Sequence, residues 1–167
     1  MPLMSNVRAL RGMHTQLTVE PLALHPDALP TLVSWYEAEW PSWYGSGRGD
    51  AKRDLQAFSN QGSLPIGVVA LRDGIVCGAA ALKAESIESH KHLSPWAAAG
   101  FVNPALRGQG IRLQLLHALE VQAQVLNFPR IYCGTSSAGT LLQRANWRHM
   151  ERITHEGKAL SIYEKAL

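Results

Sequence analysis

The chain has 167 residues, 46% of them apolar and 17% charged, with a formal net charge of +3. That length suits one domain with a sizeable core, and the balance excludes a disordered chain. The basic excess is small and scattered, which points away from nucleic acid, and no apolar run reaches the length needed to span a membrane.

Residues 1–16, MPLMSNVRALRGMHTQ, lack the continuous apolar core of a secretory leader, so the protein is expected in the cytoplasm, with 1–15 an N-terminal arm and 16–167 a single domain. QLTVEPL (16–22) alternates polar and apolar residues and predicts a strand. In 25–40, Leu29, Leu32, Val33, Trp35 and Tyr36 recur at helical spacing, and Pro41 ends the helix. PSWYGSGRGD (41–50) reads as a glycine-rich loop, and 51–62 as a second helix closed by Gly62. The period then changes: 65–72, the turn Asp73-Gly74 and 75–84 predict a β-hairpin. SPWAAAGFV (94–102) is apolar enough for a central strand. A turn follows to Gly110, then an amphipathic helix over 111–126 with Leu115, Leu119 and Ala123 on one face. RIYCGT (130–135) predicts a strand, 138–147 a short helix, and the tail two strands around Glu156-Gly157. Cys77 and Cys133 fall inside apolar runs without metal-ligand spacing, and read as buried thiols of a reducing compartment.

The turn Arg107-Gly108-Gln109-Gly110 between a strand and a helix carries the chemistry. A helix start leaves unpaired N–H groups and a partial positive charge, glycines let a phosphate approach them, and Arg107 adds a bidentate cation. A tight turn that simply needs glycine explains those four residues equally well. A Walker loop fails, because Arg112 and Leu113 stand where Lys and Ser/Thr are needed, and a dinucleotide fingerprint fails for want of a third glycine at Leu113.

By element order most of residues 16–167, and most strongly Ser94 to Trp147, resemble the GNAT superfamily of acyl-CoA-dependent N-acetyltransferases. The family's Gln/Arg-x-x-Gly-x-Gly/Ala signature reads Arg107-Gly108-Gln109-Gly110-Ile111-Arg112 here, with Pro104 upstream. Its Leu-Tyr-x-Lys/Arg-x-Gly-Trp/Phe element reads Leu141-Leu142-Gln143-Arg144-Ala145-Asn146-Trp147. The resemblance implies a mixed α/β fold with a mostly antiparallel sheet splayed between two central strands and flanked by helices. It implies acetyl-CoA as co-substrate. The pantetheine would pair with backbone near Phe101 and Val102, and the pyrophosphate would take N–H groups from Arg107, Gly108, Gln109, Gly110, Ile111 and Arg112. The acceptor would be a primary amine of a small molecule or peptide. Oligomeric state stays open, with a homodimer among the options.

The chain departs from the pattern at two positions. Arg112 replaces Gly/Ala, where it either crowds the cofactor or meets a phosphate; its charge favours the second. Leu142 replaces the tyrosine that protonates the leaving thiolate, and leucine has no proton to give. Tyr132, Tyr163 or water could fill that role. For the base, Glu39 before the aromatic loop and His92 before the central strand are the candidates, with Glu37, Glu85, Glu88 and His90 more simply read as solvated charges. Trp43 and Tyr44 either stack on a substrate cation or cap the core. A catalytically impaired acyl-CoA-binding or regulatory module is the alternative that Leu142 and Arg112 raise.

Overall fold

The computed structural model describes residues 16–167, so the expected N-terminal arm lies outside the described residues. The strands are β1 (Leu17–Pro21), β2 (Ile66–Arg72), β3 (Ile75–Lys83), β4 (Trp96–Val102), β5 (Arg130–Thr135), β6 (Arg148–His155) and β7 (Lys158–Ala166). The α-helices are α1 (Leu29–Glu39), α2 (Pro41–Tyr44), α3 (Ala51–Phe58), α4 (Ile111–Val125) and α5 (Gly139–Arg144). The strands form one seven-stranded sheet in the order β1-β2-β3-β4-β5-β7-β6. Neighbours are antiparallel except β4 and β5, which run parallel with α4 as their crossover.

The sheet is covered on both faces, which explains why β2 is a continuous apolar run rather than an alternating one. Val68 and Ala70 face the cluster that contains Leu115, Leu119 and Ala123 of α4. Val69 and Leu71 face the opposite cluster, with Leu32 and Tyr36 of α1 and Leu55 of α3. The β2–β3 hairpin turns as its sequence predicts: Asp73 and Gly74 both have left-handed φ, 54° and 74°, the requirement of a type I′ turn.

The structure moves several helix boundaries. α1 stops at Glu39 because Trp40, preceding a proline, leaves the helical region (φ −122°, ψ 61°). Pro41 then opens the single turn of α2 instead of a loop, its fixed φ suiting a first helical position. α3 starts at an Asp50 cap, whose carboxylate accepts from the Arg53 amide at 3.0 Å. It ends at Phe58 rather than at Gly62. Ser59 Oγ donates to the Leu55 carbonyl and Asn60 donates to the Ser63 carbonyl, so side chains compete with the helix there. α5 covers only Gly139–Arg144 of the expected 138–147. The Trp147 amide bonds to Leu142 O and the Asn146 amide to Gln143 O, with Asn146 at φ 68°. That is a Schellman ending with Asn in the usual glycine place.

Candidate active site

β4 and β5 share one register pair, Trp96 with Tyr132. Beyond it the strands separate. On the β3 side, Ala81 faces Ala98 and Ala79 faces Phe101, so two β4 residues, Ala99 and Gly100, stand against one on β3. Such a bulge bends its strand, and here it lies on the stretch of β4 that no longer pairs with β5. Between them opens a cleft of about 490 Å³. One wall is Ala97 to Val102, the other Cys133 to Ala138, and Leu115, Leu119 and Leu142 supply apolar side chains. The Val102 carbonyl accepts from Arg107 Nε at 3.1 Å, so a side chain rather than a neighbouring strand occupies this backbone group.

A second hollow of about 290 Å³ shares Val102, Arg107, Arg112 and Leu141 with the first. It is built by the glycine turn. Asn103 caps the 3-10 turn Pro104–Leu106 by accepting from the Ala105 amide at 3.1 Å. Gly108 and Gly110 follow with φ of 81° and 82°. A Cβ at either position would meet nothing within 4 Å. Glycine is therefore required by the left-handed backbone, and the space above it is open to a ligand. Gln109 Oε1 accepts from Arg72 Nη1 at 2.6 Å, tying the turn to β2. Ile111 is buried and anchors the helix start. The helical ladder begins with the Gln114 amide on Gly110 O, so the amides of Ile111, Arg112 and Leu113 have no carbonyl one turn behind them. Arg107, Arg112 and Arg144 border this hollow, and three guanidinium groups beside a helix N-terminus suit a polyanion. Arg144 escaped the sequence reading as a binding residue, although its place in the Leu-Leu-Gln-Arg element was the available signal.

Glu39 and Trp40 also line the cleft. The Glu39 carboxylate lies 3.7 Å from Arg107 Nη2, and the Arg107 guanidinium sits 5.6 Å above the Phe101 ring. The structure thus joins Glu39 to the same arginine that borders the phosphate-sized hollow. It does not bring His92 to either hollow. His92 is exposed and stacks on His90 at 5.7 Å, while His90 bonds Glu151 at 2.5 Å. Trp43 is capped by Arg48 at 4.6 Å, and Tyr44 is packed on the α1 cluster and donates to Asp54 at 2.9 Å.

Neither tyrosine considered as an acid lines the cleft. Tyr132 packs with Ile87, Trp96 and Ile162. Tyr163 packs in the α4 cluster, its hydroxyl so close to Gly139 that a Cβ there would come within 2.6 Å. Leu142 is buried at 2% exposure. Cys133, expected only as a core thiol, is a cleft-wall residue. Burial pushes its thiol up to about 12, against the smaller lowering effect of Arg112. The lip formed by Thr135, Ser136, Ser137 and Ala138 carried no sequence signal. Thr135 Oγ1 shapes it by accepting from the amides of Ser137 and Ala138, at 3.1 and 2.9 Å.

Residues 29–145 match the family model described as the acetyltransferase (GNAT) family. The chain belongs to this family. Its sheet, split between β4 and β5, is the splayed GNAT fold that the resemblance implied. A solved aminoglycoside 6'-N-acetyltransferase complexed with coenzyme A is similar in structure, with TM-score 0.73 and 13% identity over 89% of this chain and 96% of that one. So is yncA, a putative acetyltransferase from Salmonella typhimurium with its cofactor acetyl-CoA, with TM-score 0.64 and 15% identity over 91% and 94%. A ribosomal-protein-alanine N-acetyltransferase from Brucella melitensis matches with TM-score 0.66 and 21% identity over 91% and 99%. No curated protein sequence matches significantly. As a GNAT acetyltransferase, the chain is an acyltransferase by family. At these identities the structural neighbours speak to its fold alone.

Proposed function

We propose that this GNAT acetyltransferase moves the acetyl group of acetyl-CoA onto a primary amine by direct attack. The observation that carries the reading is the single-pair β4–β5 junction, which opens a cleft leading directly to the glycine turn. The pantetheine arm lies along β4 and uses backbone groups such as the Val102 carbonyl, once Arg107 Nε yields it. The pyrophosphate takes the N–H groups at the start of α4, with Arg107, Arg112 and Arg144 supplying charge. Acetyl-CoA brings the thioester to be cleaved. The amine attacks as the neutral base, because an ammonium has no lone pair. The carbonyl oxygen gains negative charge against β4 amides, and the C–S bond breaks to release the thiolate. The proton lost by nitrogen goes to Glu39 through water. Cys133 takes no acyl group, because a thiol raised to about 12 supplies almost no thiolate near neutral pH.

A second reading has one observation behind it. Leu142 is a buried apolar residue and no tyrosine among the described residues lines the cleft, which fits an acyl-CoA-binding module without turnover. Release of free thiol from acetyl-CoA across an amine panel separates the two. The proposal expects thiol release with at least one amine, and a Glu39→Gln rate lower by about 10²–10⁴-fold if the carboxylate is the base. Acetyl-CoA binding without thiol release under any amine supports the module instead. Wild-type turnover in Glu39→Gln removes Glu39 from the proton path.

A further inference from the structure

Tyr36 of α1 has no exposed surface, yet it carries a hydroxyl into the apolar cluster between α1, α3 and the sheet. That hydroxyl donates to the Ala99 carbonyl at 2.6 Å. Ala99 is one of the two residues of the β4 bulge, and its φ is 55°. An alanine held in the left-handed region is strained, and such strain persists only where its surroundings hold it. Ala99 and Gly100 also line the cleft. A bulge leaves backbone groups outside the ladder and re-aims them. A carbonyl turned into an apolar cluster needs a donor, and the Tyr36 hydroxyl is that donor.

The phenol is fixed in place. Trp40 stands edge-on to its ring at 5.0 Å, Phe101 lies at 6.3 Å and Tyr44 stacks at 6.5 Å. Tyr44 is itself held by its bond to Asp54. Burial raises the Tyr36 phenol above its ordinary value, so it keeps its proton across the working pH range and remains a donor.

We propose that Tyr36 is a positioning residue for acyl transfer: its hydroxyl fixes the Ala99–Gly100 bulge and thereby the β4 amides that meet the acetyl carbonyl. This rests on the reading of the cleft as the acetyl-CoA site. Negative charge develops on the carbonyl oxygen during transfer, and donors that are already in place stabilise it without reorganising. A residue serving only to pack α1 against the sheet would change stability and leave the carbonyl's surroundings untouched.

Tyr36→Phe removes one oxygen atom and keeps the ring. Acetyl-CoA affinity is measured first by calorimetry, and is expected to stay within about threefold of wild type. Infrared difference spectra of acetyl-CoA isotope-labelled at the acetyl carbonyl then read the polarisation of that bond. The wild type is expected to shift the bound stretch below its solution value, and Tyr36→Phe to return it toward that value. Thiol release is expected to fall by about ten- to a hundredfold with little change in acetyl-CoA KM. An unchanged carbonyl stretch or an unchanged rate in Tyr36→Phe overturns the positioning role. If Tyr36→Phe does not fold, Tyr36→Phe with Ala99→Gly, which relieves the left-handed strain, is read in its place; a wild-type rate or stretch there overturns it equally. A wild type that binds no acetyl-CoA fails at the first step, which overturns the reading of the cleft and the role of Tyr36 with it.

Discussion

Cys133 and Arg107 show how surroundings assign roles to single residues. The Cys133 thiol sits in the cleft wall, where a nucleophile would be useful, but burial raises it to about 12 and outweighs the nearby Arg112 charge. A thiol raised above its unfolded value keeps its stabilising contribution while both states are protonated. It loses that contribution as pH rises from the unfolded value, about 8.5, through 12, because only the unfolded state then gives up its proton. Cys133→Ser is therefore expected to retain amine acetylation within about threefold, since no acyl-enzyme is needed. Thermal melts of wild type and Cys133→Ser should converge as pH rises from 8 to 11. Loss of turnover in Cys133→Ser, with acetyl-CoA binding intact, would place the thiol in the chemistry. Arg107 presents the contrasting case. It is half exposed, bonds the Val102 carbonyl and faces Glu39, and in the proposed complex it exchanges those partners for phosphate oxygens.

At the scale of elements, α5 sets the limits of the site. Its Schellman ending uses Asn146 in a left-handed conformation and directs the chain into Trp147 and β6. The sequence reading ran the helix on to Trp147 and missed this ending, although asparagine at 146 is a residue that tolerates the left-handed angle. The position of Leu142 was legible, but its environment was not. Its side chain belongs to the core cluster as well as to the cleft. Placing a phenol there overfills packed volume, so Leu142→Tyr is expected to lower stability by about 1–3 kcal/mol, read as an earlier denaturant midpoint at constant slope. An unchanged midpoint would mean that the ring swings wholly into the cleft. The hairpin, the β4-turn-α4 unit and the buried face of α4 were all legible, because turn residues and periodicity act locally. The bulge at Ala99 was not. AAAG contains nothing that demands a left-handed alanine; the bond from Tyr36, 63 residues earlier, does. The end of α3 was missed for a smaller reason, the competition of Ser59 and Asn60 side chains with the helix.

For the whole molecule, the decisive feature is a sheet that is continuous in topology but open at its centre. Four strands on one side and three on the other meet at one β4–β5 pair. The helices α1 and α3 cover one face of the larger part, and α4 covers the other while presenting its N-terminus at the end of the opening. None of the described helices is long and apolar enough to cross a membrane. Glu39, Trp40 and Arg107 line one cleft, and Arg107 with Arg112 carries that lining on into the hollow that Arg144 also borders. His92 shows the limit of reading such a site from sequence. Its place just before β4 drew attention to it, but the fold turns it to the surface. In the proposed function this opening holds acetyl-CoA with its pyrophosphate on the glycine turn. Calorimetric titration of acetyl-CoA into wild type, Gly110→Val and Arg107→Ala tests it most directly. Valine at φ 82° strains the turn and puts a side chain where phosphate approaches, and Arg107→Ala removes a charge-assisted bond worth about 1.5–3 kcal/mol. Saturable one-to-one binding is expected in wild type, weakened by about 10- to 150-fold in Arg107→Ala and lost in Gly110→Val. Equal affinities in all three proteins, or no binding in wild type, would contradict this reading.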